Sequence, residues 1–245
     1  MKQEEFKIVE NRPLTDSVYR MKLSGNTDAF LRPGQFVNIR LDGRFLRRPI
    51  SVCDKEGQIL TIIYKVVGAG TDQMSHLEAG TCLDLLTGLG NGYDLSRAGE
   101  KPLLLGGGVG IPPLYWLAKQ LKKQSRNVTV ILGFNTKDEV FYEDEFKALG
   151  VNVIVATADG TKGRKGFVTQ VVNDTGYSYF YACGPLPMLK AVYQSIECQG
   201  EMSFEQRMGC GFGACMGCSV KTVSGYKRIC KEGPVLLKEE ILWED

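Results

Sequence analysis

The segment Met208-Gly209-Cys210-Gly211-Phe212-Gly213-Ala214-Cys215-Met216-Gly217-Cys218, followed at a distance by Cys230, constrains this chain more than any other feature. Cysteines separated by four residues, then by two, then by a long gap reproduce the plant-type [2Fe-2S] ligand spacing. Two irons must each be completed to tetrahedral coordination, so four thiolates are needed, and Cys210, Cys215, Cys218 and Cys230 are the candidate ligands. Gly209, Gly211, Gly213 and Gly217 interleave them, which lets the backbone wrap closely and aim amide N–H groups at sulfur. A structural zinc site is the competing reading. Zinc ribbons, however, usually pair two Cys-x-x-Cys knuckles, and here only Cys215 and Cys218 form one. A disulfide framework has little support, because the N-terminal Met1-Lys2-Gln3-Glu4-Glu5 is charged with no apolar signal core behind it. A cytoplasmic location is the expectation.

A chain of 245 residues is too long for a ferredoxin-sized module alone, so about two domains should precede the cluster segment. Hydrophobic residues at 43% and charged residues at 24% suit a soluble protein able to bury a sizeable core. No apolar run reaches membrane-spanning length. Lys plus Arg number 30 against 28 Asp plus Glu, so no basic field argues for nucleic acid. His76 is the single histidine, which leaves Ser-His or Cys-His catalysis without material, and it reads as a surface helix residue. Cys53, Cys82 and Cys198 sit in apolar company and read as small buried side chains.

The first hundred residues are written mostly in period two: Phe6–Val9, Val18–Leu23, Gln35–Leu41 and Leu60–Val67, punctuated by Pro33-Gly34, Asp42-Gly43 and Glu56-Gly57. Short strands at this spacing predict a small antiparallel barrel. From Lys101 the pattern becomes strand, helix, strand: Pro102–Leu105, a helix from Ile111 to Lys123, Val128–Leu132, an acidic helix around Glu143–Phe146, Val151–Val155, Tyr179–Ala182, and a helix reaching about Cys198. That alternation predicts a parallel sheet covered by helices. The expected domains are 1–98, 99–200 and 201–245.

Between barrel and cluster lie motifs with ligand-binding chemistry. Gly106, Gly107, Gly108 and Gly110 crowd a strand-to-helix turn, where backbone amides and the helix dipole favour an anion such as pyrophosphate. This is not the ordinary G-x-G-x-x-G fingerprint, since Ile111 stands where the third glycine would be and no acid closes the second strand at Gly133-Phe134-Asn135. A tight turn without ligand is the plainer alternative. Pro112-Pro113 fits the first helical turn. In the barrel, Arg47-Arg48-Pro49-Ile50-Ser51 offers guanidinium groups, and Arg48 could grip a phosphate bidentately. Ile63-Tyr64-Lys65 could add an aromatic face and a cation. Gly68-Ala69-Gly70-Thr71 follows, with Thr71 expected as the N-cap of a short helix.

Arg48-Pro49-Ile50-Ser51 resembles the flavin-binding signature of the ferredoxin-NADP reductase superfamily, and Gly70-Thr71 its second flavin phosphate site. Gly106 to Pro113 and Cys183-Gly184-Pro185 are similar to its two nicotinamide motifs. With Ser203-Phe204-Glu205-Gln206-Arg207-Met208-Gly209-Cys210-Gly211 and the tail Cys230-Lys231-Glu232-Gly233-Pro234-Val235, the whole chain resembles the electron-transfer subunits of class 1B dihydroorotate dehydrogenases. The resemblance implies a Greek-key β-barrel FAD domain, an α/β nucleotide domain and a small [2Fe-2S] domain. It implies FAD contacts at Arg48, Pro49, Ile50, Ser51, Ile63, Tyr64, Lys65, Gly70 and Thr71, and NAD contacts at Gly106, Gly107, Gly108, Gly110, Cys183 and Gly184. It further implies an FMN-containing catalytic partner, paired as a heterotetramer of two of each subunit in pyrimidine biosynthesis, which itself oxidises dihydroorotate. The lack of an Arg-rich loop after Leu132 favours NAD over a 2′-phosphorylated cofactor. The flavin subunit of an NAD(P)H-ferredoxin or hydrogenase-type complex shares this domain order and is one alternative. A zinc-stabilised interaction module is the other.

Overall fold

A computed structural model describes residues 1–172 and 176–243. Its first unit is a closed antiparallel barrel of β1 (Lys2–Pro13), β2 (Val18–Ser24), β3 (Phe36–Ile39), β4 (Arg48–Glu56), β5 (Ile59–Lys65) and β6 (Cys82–Leu89), in the order β1-β2-β5-β4-β3-β6. Strand β6 returns beside β3 after the β3-β4-β5 meander, which is the Greek-key connection. A short helix, α1 (Ala69–Ser75), bridges β5 and β6. Strand parity decides what faces inward: Leu60, Ile62 and Tyr64 of β5 join Phe6, Met21, Val37 and Ile39 in the barrel core, while Ile63 faces out. Burying each such aliphatic side chain stabilises the fold by about 1.5–3 kcal/mol.

The second unit is a seven-stranded sheet in the order β10-β9-β8-β7-β11-β12-β15. Its members are β7 (Pro102–Gly107), β8 (Thr129–Phe134), β9 (Asn152–Thr157), β10 (Arg164–Lys165), β11 (Tyr179–Cys183), β12 (Gly200–Ser203) and β15 (Val235–Leu237). All neighbours run parallel except β12 and β15. Helices α2 (Pro112–Lys123), α3 (Glu143–Ala148) and α4 (Leu186–Ser195) connect them. Because helices cover the sheet, β7 and β8 read as continuous apolar runs rather than alternating ones. The chain builds β8, β9 and β10 outward on one side of β7, then returns to lay β11 on the other. The β7/β11 boundary is therefore the topological switch point, and ligands of open α/β sheets bind outside the strand carboxyl ends at such a point.

The cysteine segment carries a hairpin, β13 (Ser219–Thr222) and β14 (Gly225–Arg228). Its tail then returns as β15 to pair with β12, so the sheet extends past the 200/201 boundary expected from sequence. Two expectations change, and one strand was not foreseen. The last helix stops at Ser195 rather than near Cys198, where Ile196 turns extended and Lys238 takes its carbonyl. Cys82, read as buried, is exposed at the start of β6, opposite Lys7 of β1. Strand β6 itself had no clean alternation in Cys82-Leu83-Asp84-Leu85-Leu86, because its outer face is covered too. Among the described residues, no helix is long and apolar enough to cross a membrane.

Candidate functional site

The register of β3 on β4 pairs Phe36 with Ser51 and Asn38 with Pro49. Pro49 and Ser51 thus lie on the outer face of the barrel, and Ile50 packs against its core. Two neighbours flank that outer face. On one side Cys53 and Ile63 join the core around α2, and Lys119 of α2 donates to Asp54 at 2.8 Å and also to Glu56. On the other side Phe36, Leu86 and Leu89 pack with Cys218, Ile229 and Cys230. The Arg48-Pro49-Ile50-Ser51 segment sits between the nucleotide sheet and the cysteine segment.

The two arginines of that segment divide their work. Arg47 grips Asp84 with Nη1 and Nη2, each at 3.0 Å, and also donates to the Asn38 carbonyl. Together with Arg40, it holds the Asp84 carboxyl below the usual range, against the opposing effect of burial. Arg48 meets no carboxylate among the described residues; its Nη1 donates to the Leu46 carbonyl, and its guanidinium lies against Gly70 with Nε and Nη2 left as donors for an incoming anion. Thr71 is not the N-cap: it stands three residues inside α1, whose cap is Gly68, and its Oγ1 accepts from the Val67 amide at 2.9 Å and contacts Gly68. The hydroxyl reaches back over the turn and fixes the Gly68–Gly70 backbone beside Arg48.

Tyr64 does not offer an aromatic face. Its ring is 2% exposed, stacks on Tyr19 at 5.9 Å and donates its hydroxyl to Asn11 Oδ1 at 2.9 Å. Period two sends it inward with Leu60 and Ile62. Ile63 and the exposed Lys65 are the outward members of that strand.

Gly106 and Gly107 end β7, and Gly108, Val109 and Gly110 form one 3₁₀ turn before Pro112 and Pro113 open α2. In the β7–β11 register Gly106 pairs with Cys183. A Cβ on Gly110 would fall 2.3 Å from the Cys183 carbonyl oxygen, and one on Gly184 would fall 3.2 Å from the Gly107 amide nitrogen. The glycine turn and Cys183-Gly184 are thus packed backbone on backbone at the switch point, as a nucleotide site needs. Cys183 turns its sulfur inward toward Tyr93 and Ser203, and burial pushes the thiol up to about 12.

The four candidate ligands are brought together as two neighbouring pairs. Cys210 and Cys215 lie on the outer side, where Cys210 Sγ accepts from the Ala214 amide at 3.2 Å and the Cys215 amide at 3.4 Å. Cys218 and Cys230 are buried, and Cys218 Sγ accepts from the Cys230 amide at 3.4 Å. Burial opposes ionisation of Cys210, but amides from Phe212, Cys215 and Ala214 outweigh it and lower the thiol to about 6. Burial and the Cys218 sulfur push Cys230 up to about 12. Gly211 and Gly213 hold φ values of +79° and +92°, which allow the loop to wrap. Arg228 braces it, donating to the Gly213 carbonyl at 2.6 Å and pairing with Glu232, whose carboxyl it holds down to about 2. Among the described residues no three His, Cys, Asp or Glu side chains converge on one point. The four cysteines supply the number of sulfur ligands that a two-iron cluster requires.

Comparison with known proteins decides the family. Residues 205–242 match the iron-sulfur cluster binding domain of dihydroorotate dehydrogenase B, and residues 104–194 match an oxidoreductase NAD-binding domain. The dihydroorotate dehydrogenase B (NAD(+)) electron transfer subunit of Fusobacterium nucleatum is 47% identical, covering 98% of this chain and 99% of its own. That of a Geobacillus strain is 43% identical, with 99% of each covered. The chain belongs to this family. Among solved structures, the NADH-dependent reduced ferredoxin-NADP oxidoreductase studied for flavin-based electron bifurcation superposes with a TM-score of 0.88 at 32% identity, covering 97% of this chain and 90% of that one. A ferredoxin NADP+ reductase from Neisseria gonorrhoeae with bound FAD and NADP shares the fold at TM-score 0.70 and 20% identity, over 80% of this chain and 90% of that one.

Sequence reasoning missed Asn38, which nothing in its own strand marks out, and Arg228, whose loop contact depends on the hairpin fold.

Proposed function

We propose that this chain is the electron-transfer subunit of a dihydroorotate dehydrogenase of de novo pyrimidine biosynthesis, taking electrons from an FMN-containing catalytic subunit and delivering them to NAD+. The observation that carries the reading is the nesting of Arg48–Ser51 between the Gly110/Cys183 switch point and the four-cysteine segment on one barrel face. Nicotinamide exchanges two electrons as hydride and an iron-sulfur cluster one, and a flavin held between them can do both.

The chain's own residues bind and orient. Arg48, set by Gly70 and by the Thr71-fixed turn, would hold the FAD phosphate. Pro49 and Ser51 line the outer face, Ile63 and Lys65 border it, and the backbone of Tyr64 contributes rather than its ring. Gly106, Gly107, Gly108 and Gly110, with Cys183 and Gly184, would admit NAD through close backbone approach. Cys210, Cys215, Cys218 and Cys230 would hold the [2Fe-2S] cluster. Phe212 and Met216 are 41% and 53% exposed beside Cys215, an apolar surface suited to the catalytic subunit in a heterotetramer of two copies each. The similarity to the bifurcating oxidoreductase favours a flavin/iron-sulfur subunit of a ferredoxin-linked complex as the second reading.

Anaerobically purified protein is expected to contain about two irons per chain and one FAD. Complexed with the catalytic subunit, it is expected to reduce NAD+ with dihydroorotate. Stoichiometric zinc without a reducible paramagnetic centre, or coupling only to ferredoxin, would overturn the assignment.

A further inference from the structure

Asn38 is out of place for stability alone. Its side chain is 1% exposed on the outer face of β3, flanked in register by Leu86 of β6 and Pro49 of β4, within the apolar contact between barrel and cysteine segment. Its Nδ2 donates to the Cys210 carbonyl at 3.3 Å, while Oδ1 is buried and meets no donor among the described residues. A buried acceptor without a partner costs about 1–3 kcal/mol, and an apolar residue of the same shape would avoid that cost. The neighbourhood is fitted to this amide. Gly211, at φ +79°, has no Cβ, and one there would fall 2.3 Å from Nδ2. Arg47 in turn holds the Asn38 carbonyl and Asp84, fixing the strand behind it.

We propose that Asn38 is a positioning residue that fastens the Cys210 end of the cysteine loop to the strand pair bearing Pro49 through its hydrogen bond to the Cys210 carbonyl, and so keeps a donor dipole beside that ligand residue. The inference rests on the reading of the four cysteines as cluster ligands. It adds that the barrel, and not only the cysteine loop, sets the cluster's reduction potential. A [2Fe-2S] centre with four thiolates becomes more negative on reduction. Donors near the thiolates favour the reduced state, and acceptors or anions disfavour it.

The test uses the full chain with its FAD and cluster, and two substitutions of matching shape. Asn38→Leu removes the donor, and Asn38→Asp, examined at alkaline pH, replaces it with an anion. Iron and FAD content are measured first, so that an error in the cluster assignment appears in the parent as missing iron and is not confused with failure of this proposal. A potentiometric titration followed by the signal of the reduced cluster is then expected to give a lower potential for both variants, lower in Asp than in Leu. For Asp, a roughly tenfold fall in the reduced-to-oxidised ratio at the parent's midpoint is expected, about 59 mV for a one-electron couple. A purely structural role would move both variants alike. Loss of iron from Asn38→Asp with FAD content intact also supports the proposal, because an isosteric change in the barrel has then released the cluster. If that variant loses both cofactors, Asn38→Leu decides: a lowered potential supports the proposal, and an unmoved one overturns it. Potentials equal to the parent's in both variants, with iron retained, overturn it outright.

Discussion

Gly70 has no side chain where Arg48 needs room: a Cβ at Gly70 would fall 2.1 Å from Arg48 Nε. The pair joins two motifs that are far apart in sequence, one on β4 and one on α1, and makes a single cationic seat from them. Arg48→Ala is expected to weaken FAD retention by about 1.5–3 kcal/mol, roughly 10- to 150-fold in dissociation constant. Gly70→Ala should do the same while leaving Arg48 in place, because the guanidinium must move. Flavin absorbance after desalting is the measurement, with iron content as the control. Parental flavin content in both variants would remove the pair from the site.

Gly110 serves the switch point as Gly70 serves the barrel. Adding a methyl group there drives it into the Cys183 carbonyl, and neither is the end of a flexible side chain. Gly110→Ala is therefore expected to separate β11 from the glycine turn and raise the KM for NADH in reduction of an artificial acceptor. Loss of one charge-assisted phosphate contact alone would correspond to about 10-fold or more. Flavin and iron content should stay parental, since their residues lie elsewhere. Unchanged NADH kinetics would move the nicotinamide site away from this turn.

Glu201, on β12, has a raised carboxyl. Burial is the main cause, the neighbouring Asp94 charge adds to it, and the Asp94 amide donating at 3.0 Å only partly offsets them, leaving the group at about 7. An acid whose folded pKa lies above its unfolded value binds its proton more tightly when folded. This residue's contribution to stability is therefore greatest below about 4.5, falls as pH rises to about 7, and is constant above. The fall is on the order of 3 kcal/mol at most. Glu201→Gln keeps an acceptor for Asp94 and removes the titration. Its Tm is expected to gain on the parent across that window, and a difference independent of pH would show that the carboxyl is not the cause.

Much of this arrangement was legible in the chain because the signals are local. Period-two runs marked β1, β2, β3 and β5 but not β4 or β6, and the switch to strand-helix alternation at Lys101 marked the parallel sheet. Cysteine spacing pointed to the paired sulfurs. What escaped reading depended on parity and on distant neighbours. Tyr64 looked available because its strand motif is outward at Ile63 and Lys65, but one residue of register turns its ring into the core. Nothing in Val235-Leu236-Leu237 says that it will return to pair with β12. Asn38 was invisible because its meaning comes from Cys210, 172 positions away.

Division of labour within the chain gives the sharpest test of the electron path. Cys218 is 2% exposed and belongs to the inner pair with Cys230, whereas Arg48 and Gly110 lie on other elements. Cys218→Ser should therefore lose or destabilise the cluster and leave the nicotinamide and flavin seats intact. With the subunit alone, NADH oxidation by an artificial two-electron acceptor is expected to stay near parental, and neither parent nor variant should oxidise dihydroorotate. In complex with the catalytic subunit, the variant is expected to lose dihydroorotate-dependent NAD+ reduction, while dihydroorotate still bleaches the partner's flavin. The contrast between the two assays matters more than either rate, because a merely misfolded chain would fail both. If the variant complex, shown to lack iron, still coupled dihydroorotate to NAD+ at the parental rate, electrons would be crossing without the cysteine segment and the proposed path would be wrong.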